Sequence, residues 1–166
     1  MTSSPPPSPP PHPVSGIFVP RDDGADGFAH LFPVRIYYED TDLSGIVYHA
    51  NYLRYMERAR SDMLRIAGID QRAAWESGEG TYAVADLQIK YKAPARLDDE
   101  LTVESVVMAV RGASCTIHQT IRRERDILTE ATVTAAFLTP EGRPRRQPAE
   151  WVTRFQAIMN GDVIIP

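Results

Sequence analysis

Between Tyr37 and Arg60 the chain reads YYEDTDLSGIVYHANYLRYMERAR, gathering two aspartates, a glycine turn, a histidine and the start of an amphipathic helix into one run. These residue types suit carbonyl chemistry. A carboxylate in a loop just ahead of a helix can serve as base or nucleophile, a role worth about 10²–10⁴ in rate. The first amides of that helix lack intrahelical acceptors and, with the helix dipole, can receive a developing oxyanion. Removing one such donor costs on the order of 10²–10³ in rate. Asp42 is the acid of interest, with Gly45 turning the chain after it and His49 close to the helix start. Each piece also has an ordinary structural role. An aspartate beside a glycine turn commonly caps the turn, a histidine near a helix start is commonly structural, and Glu57 and Arg58 on the helix commonly make surface ion pairs. Spacing alone leaves both roles open.

Other chemistries find less support. Cys115 and His118 are three apart, so on a strand they face opposite sides and form no nucleophile pair without a bulge; a buried, inert thiol is expected. His12, His30, His49 and His118 show no HExxH spacing and have no CxxC companion, so no metal is expected. There is no glycine-rich phosphate loop and no GxSxG elbow. A net charge of −4 argues against general affinity for nucleic acid or anionic membrane. The single cysteine excludes an intramolecular disulfide and fits a reducing compartment. With no signal-like leader and no apolar run of about 18 residues, a cytoplasmic protein without membrane insertion is expected.

The elements that must position Asp42 follow from hydrophobic period. Residues 1–30 are read as a disordered proline-rich tail, since seven of the 14 prolines fall in the first thirteen positions. From Phe32, alternation of Val34, Ile36 and Tyr38 with Arg35, Tyr37 and Glu39 predicts the first strand, and the turn formers of residues 40–45 predict a tight loop. Tyr52, Tyr55, Met56, Ala59, Met63, Ile66 and Ala67 recur at helical spacing, with Arg54, Arg58, Ser61, Asp62 and Arg65 on the other side. This predicts one long helix of about 17 residues from Asn51, stopped by Gly68 just beyond its end and roughly 25 Å long. A helical turn near Ala73 is expected next. A strand follows in which Ala83, Ala85, Leu87, Ile89 and Tyr91 share a face, then strands over residues 101–110, 114–122 and 128–138, and a terminal helix after Pro148. One helix followed by hairpins cannot build a parallel sheet. The fold class is therefore α+β, with a five-stranded antiparallel sheet wrapped around one long central helix, plus a short C-terminal helix. The domain is expected to span residues 31–160, with 161–166 as a C-terminal tail.

The run VRIYYEDTDLSGIVYHANYLRYMERARSDMLR, with YKAPARLDDEL downstream, resembles the acyl-CoA thioesterase family known from the Tol-Pal gene cluster, relatives of 4-hydroxybenzoyl-CoA thioesterase with a hotdog fold. The similarity covers roughly residues 32 to 159. It implies a cofactor-free hydrolase of acyl-CoA thioesters, with short aliphatic acyl groups as first expectation and aromatic or longer acyl groups, or acyl-carrier-protein substrates, behind. By position the resemblance makes Asp42 the catalytic carboxylate, as nucleophile or as general base on water. It makes His49 the position whose backbone amide polarises the thioester carbonyl, and Gly45, Ile46, Val47 and Tyr48 the substrate-facing turn. It also implies a homodimer with sheets side by side and sites at the subunit interface, or a homotetramer. Arg96 and Arg111 carry the charge for the CoA phosphates, as do Lys90, Lys92, Arg143, Arg145 and Arg146, though each also suits a solvated surface. Two other hotdog activities stand beside this one: a non-catalytic acyl-carrier or envelope-partner module, and a hydratase. The first has no need of a carboxylate beside a thioester carbonyl. The second departs from the site spacing.

Overall fold

The computed structural model describes residues 15–162; positions 1–14 of the expected proline-rich tail and 163–166 of the expected C-terminal tail lie outside the described residues. Six strands form one antiparallel sheet: β1 (Ile17–Pro20), β2 (Phe28–Arg35), β3 (Thr81–Tyr91), β4 (Glu100–Val110), β5 (Ser114–Arg123) and β6 (Asp126–Leu138), in the order β1-β2-β4-β5-β6-β3. The helices are α1 (His49–Ile66), α2 (Gln71–Glu76) and α3 (Ala149–Asn160). No helix among the described residues is long and apolar enough to cross a membrane.

α1 lies along one face of the sheet, and its 18 residues span about 27 Å. Its first half buries Tyr52, Tyr55, Met56 and Ala59 against Val34 of β2 and Ile36 just after it, Leu101 and Val103 of β4, and Leu128 and Ala131 of β6. Its second half buries Met63 and Leu64, with Ala67 at its C-cap, against a second cluster completed by Ala74 of α2 and by Trp151, Phe155 and Ile158 of α3. Each fully buried large side chain contributes roughly 1.5–3 kcal/mol, so this single helix ties both halves of the core together. Gly68, at φ +77, ends it as the left-handed residue a helix C-terminus favours. These are the sheet and long central helix expected of a hotdog fold.

Four details differ from expectation, each for a local reason. The sheet has six strands rather than five, because Ile17–Pro20, expected to belong to the tail, pairs with Phe28–Leu31. A four-residue strand followed by an RDDGADG turn carries too short a pattern to stand out from tail composition. The strand expected from residue 32 instead runs Phe28–Arg35, and Tyr38–Asp40 forms a 3-10 turn. Pro33 is tolerated within β2 because β1 ends short of it and leaves that stretch as an edge. α1 begins at His49, two residues early, with Tyr48 at the N-cap.

The fourth difference concerns faces. A β-bulge between Val84 and Asp86 inverts the alternation of β3, so Tyr82 and Val84 share the helix-facing side with Leu87, Ile89 and Tyr91. Asp62, assigned to the polar side of α1, is buried. It accepts hydrogen bonds from His30 Nε2 at 2.8 Å, the Gly16 amide at 2.7 Å and the Ser15 hydroxyl at 3.0 Å. A buried carboxylate requires such partners, and all three lie in the segment read as tail. Cys115 is buried and burial pushes its thiol up to about 11, while His118 turns to the other face toward Thr132 and Glu130.

Candidate active site

The loop from Tyr37 to Tyr48 is held by its own backbone. The Asp40 carboxylate accepts the Tyr37 amide at 2.7 Å and closes the 3-10 turn. The Asp40 carbonyl accepts the Tyr48 amide at 3.0 Å and the Asn51 side-chain amide at 2.9 Å, binding the loop's start to the first turn of α1. Between these anchors Thr41 bridges Val47, the Asp42 amide donates to Ile46 O at 2.9 Å, and the Gly45 amide donates to Asp42 O at 3.0 Å. Gly45 sits at φ +79 with open space about it, so backbone conformation alone calls for glycine there.

Asp42 is at the tip of this hairpin, exposed to solvent. Its Oδ1 accepts both the Ser44 amide, at 2.8 Å, and the Ser44 hydroxyl. These bonds, the hydroxyl's first, hold the carboxyl below its ordinary value, with a further contribution from the charge of His49. Oδ2 has no hydrogen-bond partner among the described residues. One oxygen therefore fixes the group while the other remains available.

α1 begins facing the same loop. The backbone amides of His49 and Ala50 have no backbone acceptor among the described residues, whereas the Asn51 amide is already taken by Tyr48 O at 2.9 Å. Two free donors at the positive end of an 18-residue helix form an anion-receptive corner. The imidazole of His49 lies against Tyr48, at 4.5 Å between ring centroids, and edge-on to Tyr91 at 6.2 Å. The Tyr91 hydroxyl donates to His49 O at 2.9 Å and pins the helix start to the end of β3. The expected result for His49→Ala is therefore a small loss in hydrolysis, within about tenfold, since the backbone amide survives. A loss comparable to removing Asp42, measured as kcat/KM at neutral pH, would give the role to the imidazole.

Of the remaining sequence-derived residues, Ile46 and Arg96 face each other in an isolated bridge, and exposed Arg96 is held by its amide on Asp99 at 2.9 Å. Tyr48 is exposed beside His49. Val47 is different: its side chain is buried in the core and its amide donates to Ala95 O, so it supports the turn from beneath and presents nothing to a ligand. Arg111 lies beyond the far end of β4, some ten strand residues or roughly 33 Å from the Glu100 end, and it is not brought to Asp42 in this chain. Two residues escaped notice. Ser44 could have been found, because Asp-x-Ser is an Asx-turn pattern. Tyr91 carried no sequence signal, since its role depends on where β3 meets α1.

A loop carboxylate with a free oxygen and free amides at the adjoining helix start are groups whose chemistry suits the hydrolysis of activated acyl groups. Comparison assigns the family: the chain belongs to the thioesterase superfamily, which matches residues 44–130. It is similar to the acyl-CoA thioesterase YbgC of Haemophilus influenzae, at 44% identity over 111 residues, covering 67% of this chain and 80% of that protein. The acyl-CoA thioester hydrolase YbgC of Escherichia coli is 39% identical over 127 residues, covering 75% of this chain and 94% of that protein. Among solved structures, a probable thioesterase from Bartonella henselae superposes with a TM-score of 0.69 at 36% identity, over 72% of this chain and 99% of that one.

Proposed function

We propose that this thioester hydrolase cleaves acyl-CoA thioesters to the free acid and CoA, with Asp42 as its catalytic carboxylate. The observation that carries the reading is the free Oδ2 of Asp42, on a carboxylate whose other oxygen is pinned by Ser44. A carboxylate held below its ordinary value stays ionised at neutral pH, as both a nucleophile and a general base require. The thioester carbonyl would be polarised by the amides of His49 and Ala50, which also receive the oxyanion that forms on attack, before the carbonyl re-forms and expels the thiolate. Gly45, Ile46 and Tyr48 would flank the thioester, and Arg96, whose side chain is free of hydrogen-bond partners among the described residues, suits a CoA phosphate. An acyl-CoA panel with thiol release as readout tests this; silence across chain lengths would overturn it, and acyl-carrier-protein thioesters run in parallel separate the two carriers. Single turnover in ¹⁸O-labelled water separates the two roles of Asp42, since only nucleophilic attack leaves label in the enzyme carboxylate.

The active form would be a dimer paired through β3. This strand is the sheet's edge, eleven residues long, and on its helix-facing side Val84 is 53% exposed, Leu87 37% and Tyr91 46%. A long apolar edge left bare invites uncontrolled pairing, and an isologous strand from a second copy would cover it. Because Tyr91 also holds His49, the interface and the site adjoin. Leu87→Lys is expected to shift the protein to monomer in light scattering and to lower hydrolysis in step, with Asp42 untouched. A stable, active Leu87→Lys dimer would place the interface elsewhere.

A further inference from the structure

A cavity of about 160 Å³ lies between α1 and β3, away from Asp42, with Leu64, Val84, Ile117 and Ala135 among its walls. Its cationic group is Arg60. The guanidinium Nη1 donates to Gln119 Oε1 at 2.9 Å, and the orientation of that amide is set because its nitrogen donates to Met56 O at 3.0 Å and to Ser105 Oγ at 2.9 Å. This is the guanidinium's one hydrogen bond among the described residues, and no carboxylate there lies within ion-pair distance. A guanidinium offers five donors, so four remain for a ligand. Burial works against its charge, and Glu57 offsets this only in part. Glu57 also lines the cavity, but it is exposed, screened by water, and occupied by the Ser61 hydroxyl at 2.6 Å.

Apolar walls leading to a guanidinium without a counter-ion match an alkyl chain that ends in a carboxylate. We infer that this cavity binds the acyl portion of a dicarboxylic acid monothioester, with Arg60 holding the distal carboxylate. The inference rests on the acyl-CoA reading and on pairing through β3. When two copies of β3 overlap along their length with the bulge of each accommodated, so that helix-facing side chains meet, Val84 of one lies opposite Ile89 of the other and Tyr82 opposite Tyr91. The cavity beside Ala83 and Val84 then opens next to the second copy's Tyr91 and His49. Within one protomer, by contrast, eleven helical residues set Arg60 roughly 16 Å beyond His49. At about 30 Å³ per water volume the cavity has room for roughly five such volumes, the size of a C4–C6 diacid chain.

The test uses carba analogues of CoA esters, in which methylene replaces the thioester sulfur, so binding is read without turnover. The glutaryl analogue is compared with its isosteric 5-methylhexanoyl counterpart on the full-length protein by calorimetry. The expected result is at least tenfold tighter binding of the glutaryl form to the wild type. That ratio falls to about one in Arg60→Gln and keeps a part of its value in Arg60→Lys. Equal or weaker binding of the glutaryl analogue to the wild type would overturn the proposal without recourse to a variant. So would a ratio that survives Arg60→Gln undiminished. Should the preference hold while neither parent thioester is hydrolysed, recognition by Arg60 stands and the catalytic reading fails; the two are thereby told apart.

Discussion

Asp42→Asn is expected to lower kcat for acyl-CoA hydrolysis by roughly 10²–10⁴-fold while leaving the thermal midpoint unmoved. Asparagine is the informative substitution because its side-chain oxygen still accepts the two Ser44 bonds that Asp42 Oδ1 now receives. The hairpin tip then keeps its shape and only the charge and the free carboxylate oxygen are lost. Alanine would remove the turn as well and confuse the two causes. Ser44→Ala gives a second reading of the same group. Both Ser44 bonds favour the ionised form, the hydroxyl's more than the amide's, so deleting the hydroxyl raises the carboxyl toward its ordinary value. Activity that requires the carboxylate falls away as pH drops through this group. The acidic limb of the kcat/KM profile should therefore move to higher pH in Ser44→Ala, with activity at neutral pH little changed. An unmoved acidic limb would assign that limb to another group, and near-wild-type turnover in Asp42→Asn would remove Asp42 from the chemistry altogether.

The parts of this molecule that were legible in the sequence are those whose determinants are local. The Asp42 loop is specified within ten residues: an Asx-turn at Ser44, a positive φ at Gly45, and a helix period that begins immediately after. The hairpins of β4, β5 and β6 were legible for the same reason, because their alternation and their turns adjoin. What could not be read depends on partners distant along the chain. Asp62 occupies a helix position that spacing assigns to solvent, and it is buried because residues 15, 16 and 30, more than thirty positions earlier, cover it. The bulge after Val84 adds one residue to β3 and turns a correct alternation into the wrong face. Arg111 had the right charge for a phosphate, but charge carries no topology, and only the length of β4 separates it from the site.

Asp62 also carries the largest expected effect on stability. It lies with His30 in a buried pair, and the ring of His30 is enclosed by Phe18 at 5.5 Å and Phe32 at 6.3 Å between centroids. His30 Nδ1 has no partner among the described residues and is inaccessible to solvent. The neutral tautomer that donates from Nε2 to Asp62 satisfies the pair, whereas a proton on Nδ1 would add a donor with nothing to receive it. Asp62→Ala strips His30 Nε2 and the Gly16 amide of their acceptor, and each buried donor left unsatisfied costs about 1–3 kcal/mol. For a domain of this size that is a fall in Tm on the order of 10 °C. Replacing both partners by leucine should recover most of the loss, because no buried polar group then stands alone; water can serve Ser15 and Gly16 near the surface. The pair also sets a pH dependence. Burial, the dominant influence on His30, holds its pKa below the ordinary value of 6.5, so the unfolded chain binds the proton more readily. That stability is complete above about pH 6.5 and declines as pH falls below it. Desolvation opposes the charge of Asp62, but the Gly16 amide, His30 and Ser15 together outweigh it and hold the carboxyl below its ordinary value, so its contribution is lost at lower pH still. Thermal melts from pH 8 to pH 5 should show Tm falling below about pH 6.5 in the wild type, with a flatter profile in His30→Gln. A wild-type profile flat to pH 5 would mean that the folded protein accommodates charged His30, leaving the hydrogen bonds of Ser15 and Gly16 to Asp62 in place.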